Sequence, residues 1–354
     1  MKKRLVIQLF IFLIFNSSVL ISCSIKKDTP DDYKFGIVYT SLANDETTVA
    51  TYDANGNNIY DKNIDVGGIT LASFLKFGIS NNNNIYYACP ISGNKAQSYI
   101  LQIDKNNLEF KKIMSEDYIT PTFLCVDNDF AYLGSSKIDT TYISKTSLSN
   151  DNVVESTEFE GQGVFSIEDK DKLYVISIIH SEEEESSSYG KVYILNKSDL
   201  SVSNIITLPS VSFVTDAKII NNDMYILINR DGKDNLSNKL VKLDLNNKSV
   251  NTVELPFNNL FKLLNNNNYI YIIESSYHQD ETSNKVARIN LSDMKIDTFN
   301  TENQHISSYI NENKYISSDG KYIYLYNLDN FNLINKFPIK EIKDQNFVSF
   351  YLNN

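Results

Sequence analysis

The chain has 354 residues, the length of two or three average domains, and a formal net charge of −11 at pH 7. Phosphate groups would repel such an acidic chain, so the charge balance excludes nucleic acid as the expected partner. A repeat of nearly constant spacing runs through most of the chain, and repeats of this kind share one continuous core. The sequence therefore predicts a single repeat domain, which we expect to be a monomer.

The first 22 residues have the pattern of an export signal. Lys2, Lys3 and Arg4 form a basic start. Leu5–Phe15 follows as an apolar stretch that only Gln8 interrupts. At about 1.5 Å per residue, this stretch is too short to cross a hydrocarbon layer of roughly 30 Å. The pattern predicts a signal peptide over residues 1–22 rather than a stable membrane span.

The end of this leader carries a more specific feature. The tetrapeptide LISC, which ends at Cys23, resembles the lipobox of bacterial lipoproteins, in which the cysteine becomes the lipid-modified first residue of the mature protein. The resemblance implies that Cys23 carries acyl chains, palmitate among them, which anchor the protein to the extracytoplasmic face of the cell membrane. An ordinary signal peptide with an incidental cysteine is the alternative. Residues 23–32 are then the lipidated cysteine and a short polar linker, and residues 33–354 form the domain.

A hairpin pattern recurs along this domain. In Lys191–Pro209, an alternating apolar run, a polar turn opened by Asn196 and a second alternating run follow one another. The same pattern is present in Gln97–Met114, Asn238–Pro256 and Gly320–Ile339. A two-residue period bounded by turn-forming residues indicates two antiparallel strands, so the unit contains a β-hairpin.

A second recurring segment carries an apolar residue in its second position and ends in an Asn/Asp-rich turn. These apolar residues are Phe74, Phe123, Phe165, Phe213, Phe261, Ile306 and Phe347. Their spacings of 49, 42, 48, 48, 45 and 41 residues match the blade length of a β-propeller. With no helical period outside the leader, the sequence predicts an all-β, seven-bladed propeller of four-stranded antiparallel blades.

The two ends of the domain complement each other. Asn346–Asn354 has the pattern of an inner strand with its turn, whereas the segment from Tyr33 begins with a second strand that lacks a first. Joining the ends completes the seventh blade, and the ring then hides sheet edges that would otherwise be free to pair. The expected strands of this blade are Phe347–Leu352, Phe35–Thr40, Thr48–Asp53 and Asn58–Ile64.

With these features the chain resembles the broad YVTN/WD40-like propeller superfamily. The third and fourth strands in Lys191–Leu208 and Tyr322–Phe337 are similar to the YVTN repeat type. Tyr142–Ser147 departs from that type because it lacks the apolar-then-Asp ending, and the chain has no Trp for the Trp-Asp ending of WD40 blades. The resemblance implies the fold of Tyr33–Asn354 and leaves the function open, because propellers serve both as enzymes and as scaffolds.

Long loops predict where function lies. In propellers, the loops between the second and third strands emerge on the same face as the loops between blades. The first kind is long at Pro90–Ser98, His180–Gly190, Asn229–Asn238 and Glu274–Lys285. Long insertions on one face of a rigid scaffold are where binding usually takes place. We therefore predict a binding or scaffold module that docks a protein, peptide or glycan on this face.

The candidate binding rim on this face consists of polar residues from several repeats, namely Asp216, Asn259, Glu274, His278, His305 and Gln345. Two imidazoles and a carboxylate can hold Zn²⁺, but histidine is common in solvated loops, and neither a metal site nor a cofactor is predicted. The alternative function is a lactonase- or lyase-like enzyme at the mouth of the central channel. No catalytic residue is assigned, because GxSxG, HExxH and Walker patterns are missing.

Two further cysteines, Cys89 and Cys125, follow the leader. Export makes a disulfide between them chemically possible. Cys125 falls in a predicted inner strand, however, where a cysteine commonly packs as a small apolar group. The sequence alone leaves both readings open.

Overall fold

We describe the protein from a computed structural model. The structure describes residues 33–41, 44–67, 69, 78–81, 83–89, 98–114, 121–181, 187–275 and 284–353. In these residues the chain forms seven antiparallel sheets of four strands each, which confirms the predicted all-β, seven-bladed propeller. No helix in this part of the chain has the length and apolar character of a membrane span. The predicted leader, Cys23 and the linker lie outside the described residues.

We number the blades in chain order and the strands from the N terminus. Blade 1 contains β1 (Phe35–Thr40), β2 (Thr47–Tyr52), β3 (Asn58–Ile64) and the last strand, β28 (Asn346–Leu352). Blades 2 and 3 contain β4 (Ile79–Ser80), β5 (Asn84–Cys89), β6 (Tyr99–Asp104) and β7 (Phe110–Met114), then β8 (Pro121–Val126), β9 (Phe130–Lys137), β10 (Thr140–Ser147) and β11 (Val153–Glu160). Blades 4 and 5 contain β12 (Gln162–Asp169), β13 (Lys172–His180), β14 (Ser188–Asn196) and β15 (Val202–Leu208), then β16 (Phe213–Ile220), β17 (Asp223–Arg230), β18 (Leu236–Asp244) and β19 (Val250–Glu254). Blades 6 and 7 contain β20 (Leu260–Asn265), β21 (Tyr269–Glu274), β22 (Lys285–Asn290) and β23 (Ile296–Asn300), then β24 (Ser307–Asn311), β25 (Lys314–Ser318), β26 (Tyr322–Asn327) and β27 (Leu333–Pro338).

The predicted pairing of the two chain ends is confirmed. β28 pairs with β1 in antiparallel register, from Phe35 opposite Leu352 to Thr40 opposite Asn346, with one bulge. Tyr351 of β28 is fully buried. A Cβ atom at Gly36 would lie 2.3 Å from the Tyr351 ring, so the closing strand approaches β1 at a site where a side chain would clash.

Apolar clusters fill the junctions between neighbouring blades. Among the described residues there are seven such clusters, and each draws on two consecutive blades. At the junction of blades 7 and 1, Ile323 and Phe337 pack with Phe35 and Phe350. Second strands such as β13 are buried on both faces, and their sequences are nearly continuous apolar runs. The fourth strand β11, in contrast, is largely exposed. The core is therefore a ring of interfaces between blades.

One turn recurs between the third and fourth strands of six described blades, blades 2 to 7. Its fifth residue adopts a positive φ between 52° and 66°, in Leu108, Asp151, Leu200, Lys248, Met294 and Phe331. The N–H of that residue donates to the carbonyl four residues earlier, at 2.8 to 3.0 Å. Blade 3 forms the same turn from Ser147, although its sequence departs from the repeat, because backbone hydrogen bonds define the turn.

The positive φ of Lys248 predicts a stabilising substitution. Lys248 is exposed at φ 66°, a conformation that costs an L-residue about 1–2 kcal/mol and glycine nothing. Glycine also makes the unfolded chain more flexible, and this entropy lowers stability by about 0.5–1 kcal/mol. The relief of strain is the larger effect, so we expect Lys248→Gly to stabilise the domain by up to about 1 kcal/mol. Chemical denaturation measures the effect, and Asn246→Gly in the same turn, where φ is negative, should destabilise instead.

Candidate functional site

The propeller has two distinct faces. The upper face carries the turns between second and third strands and the loops between blades, for example 231–235 and 301–306. The lower face carries the turns between first and second and between third and fourth strands. The described chain begins at the lower face, where the N–H of Lys34 donates to the carbonyl of Tyr52 at 2.8 Å and its carbonyl accepts from Asn353 at 2.9 Å. The described strand ends that flank the predicted long loops therefore lie at the end of the molecule opposite Lys34.

Two of the four predicted long loops, Pro90–Ser98 and Glu274–Lys285, fall mainly on residues outside the described ranges, and so do residues 182–186 of a third, His180–Gly190. The fourth, in blade 5, is a turn at 231–235 between two strands that are longer than predicted. Its Asp231 carboxylate accepts the N–H groups of Lys233 and Asn235 at 2.9 and 3.0 Å. The carbonyl of Gly232 accepts the N–H of Ser188 in blade 4 at 2.7 Å. The turn is thus fixed internally and to its neighbour.

Three predicted rim residues come together at the base of the blade 6 loop, which joins β21 to β22. His305 is fully buried there. Its Nδ1 lies 3.0 Å from the carbonyl of Glu274 and its Nε2 lies 2.8 Å from Oγ1 of Thr301. The N–H of Ser275 donates to the carbonyl of Asn259 at 3.1 Å.

The same group holds both ends of the blade 6 loop. At one end, Oγ of Ser275 donates to the carbonyl of His305 at 2.7 Å. At the other end, the N–H of Thr301 donates to the carbonyl of Asn284 at 2.9 Å, and Nδ2 of Asn284 donates to the carbonyl of Thr301 at 2.7 Å. We call this set the loop-stem cluster; it consists of Asn259, Glu274, Ser275, Asn284, Thr301 and His305.

Burial sets the charge of His305. Loss of solvation lowers the pKa of the imidazole to about 4, against a smaller opposing effect of the Glu274 carbonyl. The ring is therefore neutral at pH 7. Because a carbonyl only accepts, Nδ1 carries the proton and Nε2 is an acceptor. Both ring nitrogens are engaged within the protein, so His305 supports the loop instead of presenting a reactive group.

The carboxylates of Glu274 and Asp216 are also engaged. Glu274 is 7% exposed, and its Oε2 accepts the N–H of Lys285 at 3.1 Å, which fixes the start of β22. Asp216 on β16 accepts the N–H of Ala217 and the N–H of Leu263 on β20, both at 2.9 Å. Asp216 therefore links the inner strands of blades 5 and 6.

The last three predicted rim residues to be placed are Asn259, Gln345 and His278. Asn259 contributes its backbone to the loop-stem cluster and has a φ of 57°. Gln345 lies in the loop before β28, and among the described residues its Oε1 has no hydrogen-bond partner. His278 lies outside the described residues. The sequence analysis did not identify Ser275, Asn284 or Thr301. Ser275 and Asn284 lie at the two ends of the predicted loop Glu274–Lys285, and this position was the signal that could have identified them.

The described residues contain neither a cluster of metal-ligating side chains nor a disulfide. Within the described ranges, no three His, Cys, Asp or Glu side chains are grouped so that they could hold a metal ion. Cys89 and Cys125 are both buried and are not joined by a disulfide. Burial raises the pKa of the Cys89 thiol to about 12, so this group stays protonated at neutral pH.

Comparisons with known proteins concern the fold. No known family matches the sequence, and no curated protein is similar to it in sequence. The chain is structurally similar to BamB from Moraxella catarrhalis, with a TM-score of 0.52, 9% identity and 89% of each chain covered. It is similar to a functionally unknown protein from Desulfotomaculum acetoxidans, with a TM-score of 0.55, 10% identity and coverage of 90% of this chain and 98% of that one. It is also similar to the WD40 domain of Neurospora crassa Pan2, with a TM-score of 0.50, 10% identity and coverage of 85% and 88%. At this identity the likeness shows a β-propeller fold, shared with BamB and WD40 structures.

Proposed function

We propose that the chain is a membrane-anchored, extracytoplasmic β-propeller lipoprotein that binds a protein, peptide or glycan on its upper face. The observation that carries this proposal is the opposition of the two faces: the described chain begins at the lower face, beside Tyr52 and Asn353, and the strands that flank the predicted long loops end at the upper face. An anchor attached at the lower face leaves the upper face free for a partner.

Linker length supports this arrangement. The nine residues Ser24–Asp32 extend to roughly 30 Å at most. Acyl chains on Cys23 would therefore keep the lower face within that distance of the membrane surface. The upper face would be directed away from the membrane, toward other extracytoplasmic molecules.

The state of the polar groups favours binding over catalysis. A hydrolase or lyase needs side chains that are free to act on substrate. The carboxylate of Asp216 and the imidazole of His305 are both engaged in hydrogen bonds that hold backbone segments together. The loop-stem cluster, in contrast, fixes Ser275 and Asn284, the two described residues between which a docking loop would extend.

Photocrosslinking in living cells tests the proposal. A photoreactive amino acid is placed at Lys233 on the upper face or at Asn246 on the lower face, two exposed turn positions of blade 5. We expect a discrete adduct from position 233 and none from position 246. Adducts of equal yield from both positions, or from position 246 alone, would contradict docking on the upper face.

The anchor is tested separately on the same protein. We expect Cys23→Ser to abolish incorporation of labelled palmitate and to move the protein from the membrane fraction to the soluble one. Membrane association that persists without the label would refute lipid anchoring. It would leave the crosslinking result to decide the docking face independently.

A further inference from the structure

On the upper face, blade 3 ends in a tight turn with an exposed isoleucine at its tip. Only Ile138 and Asp139 join β9 to β10, and Lys137 pairs with Thr140 across the turn. Ile138 is 76% exposed, whereas the other exposed large apolar residues of the described ranges are between 36% and 54% exposed. Among the described residues, Ile138 is therefore the large apolar residue with the greatest exposed fraction.

The backbone of Ile138 is strained. Its φ is 53°, a conformation that β-branched residues rarely adopt. A two-residue hairpin turn in which only the first residue has a positive φ usually carries glycine at that position. On the same face, the corresponding turn of blade 7 has Gly320 at φ 82°. Of the described residues with positive φ, only Ile138 is β-branched.

Contacts within the chain do not offset this strain. The other apolar residues with positive φ pack into the clusters between blades; they are Leu108, Leu200, Met294 and Phe331. Burial of those side chains compensates for their backbone conformation. Ile138 is exposed and gains no such burial. Because strain of this kind is kept mainly at functional sites, we look for its compensation in a contact outside the chain.

The turn that carries Ile138 is fixed to blade 4. The N–H of Gly161 donates to the carbonyl of Asp139 at 2.7 Å, and Oγ1 of Thr141 donates to the carbonyl of Gly161 at 2.6 Å. A Cβ atom at Gly161 would lie 2.4 Å from Cδ1 of Ile179 on β13, so the two blades are in close contact here. Ile138 is thus held in one position, and a partner that binds it loses little free energy in ordering the turn.

The chemistry around Ile138 indicates the kind of partner. Its side chain has no hydrogen-bonding atom, so it contributes affinity only when an apolar pocket removes it from water. Proteins offer such pockets, whereas a glycan presents mainly hydroxyl groups. Lys137 and Asp139 flank Ile138 and are both exposed. Insertion into a lipid bilayer would bury the Asp139 carboxylate at a high cost, whereas an apolar centre with a charged rim is the usual composition of a protein–protein interface.

We propose that Ile138 is the apolar anchor through which the upper face binds a protein partner, and that its side chain fills an apolar pocket of that partner. This inference rests on the proposed function and narrows the partner to a protein. Glycine at this position would make the free domain more stable but would leave no side chain to bind. The strain in the free chain is therefore the cost of having an anchor at the tip of the turn.

Urea denaturation tests the strain. We expect Ile138→Gly to raise the denaturation midpoint, because relief of the backbone strain exceeds the added flexibility of the unfolded chain. Val154→Gly is the matched control, since Val154 is an exposed apolar residue in the regular strand β11; it should lower the midpoint. A lower midpoint for Ile138→Gly would show that isoleucine stabilises the free turn, and would overturn the proposal.

Photocrosslinking in living cells tests the anchor. A photoreactive amino acid replaces Asp139, beside Ile138, and we expect a discrete adduct that mass spectrometry identifies as a protein other than this chain. Ile138→Gly should lower the yield of this adduct at least about fivefold, because the contact with the pocket is lost. Val154→Thr should leave the yield unchanged. An unchanged yield in Ile138→Gly, or an adduct with lipid, with a glycan or with a second copy of the chain, would overturn the proposal.

The adduct from position 233 separates this inference from the proposed function. If Ile138 is the anchor, Ile138→Gly should lower the yield at position 233 as well. An adduct at position 233 that Ile138→Gly leaves unchanged would keep docking on the upper face and overturn the role of Ile138. Absence of adducts from both position 139 and position 233 would overturn both.

Discussion

Deletion of Gln345–Asn354 is expected to abolish cooperative folding of the propeller. The deletion removes β28, and with it the fully buried side chains of Phe350 and Tyr351. Loss of one such aromatic side chain costs about 3–5 kcal/mol, and a whole domain is stable by only about 5–15 kcal/mol. It also exposes the edge of β1, an apolar strand that is buried along its full length. Circular dichroism melting and limited proteolysis of the truncated chain should show the loss.

A shorter truncation provides the control. Removing only residues 353 and 354 deletes the two hydrogen bonds that Asn353 makes to the carbonyls of Lys34 and Tyr33. Because such bonds are worth about 1 kcal/mol each, this variant should still melt cooperatively. Equal melting temperatures for the longer deletion and the intact chain would show that β28 does not close the ring.

The architecture could be predicted from the sequence because the same strand and turn pattern recurs at nearly constant spacing along the chain. The two-residue period gave the strands, and the spacing of apolar residues gave the number of blades. The ends of strands were less well predicted. The inner strand expected from His305 begins at Ser307, and β1 carries a bulge after Val38. A bulge depends on how two distant strands register, which no local pattern encodes.

The candidate site could be predicted only in part. Position on the upper face followed from topology, and the structure brings Asn259, Glu274 and His305 together there. The burial of His305 was not foreseen, because its partners Glu274 and Ser275 belong to the preceding blade.

The buried imidazole of His305 should make stability depend on pH between about 6.5 and 4. In the unfolded chain this side chain has an ordinary pKa of about 6.5, whereas burial lowers its pKa to about 4 in the fold. Within this window the unfolded state binds more protons, so stability rises with pH and is lost as the pH falls. Stability from this group is fully present above about pH 6.5, and the loss at pH 4 amounts to about 3 kcal/mol.

Carboxylates also titrate in this range, so the test is a difference between variants. His305→Asn keeps an N–H donor near the Glu274 carbonyl but has no imidazole to protonate. We expect the variant to be less stable than the intact chain at pH 7. Between pH 6.5 and 4 its free energy of unfolding should fall by about 3 kcal/mol less than that of the intact chain. Urea denaturation at a series of pH values measures this slope, and His180→Asn, which removes an exposed histidine of β13, is the matched control. Because His305 fixes Ser275 through its carbonyl and Thr301 through its ring, its protonation should also speed amide exchange at the stems of the blade 6 loop. Parallel pH slopes for the intact chain and His305→Asn would mean that the imidazole is solvated and that the loop stems are held by other groups.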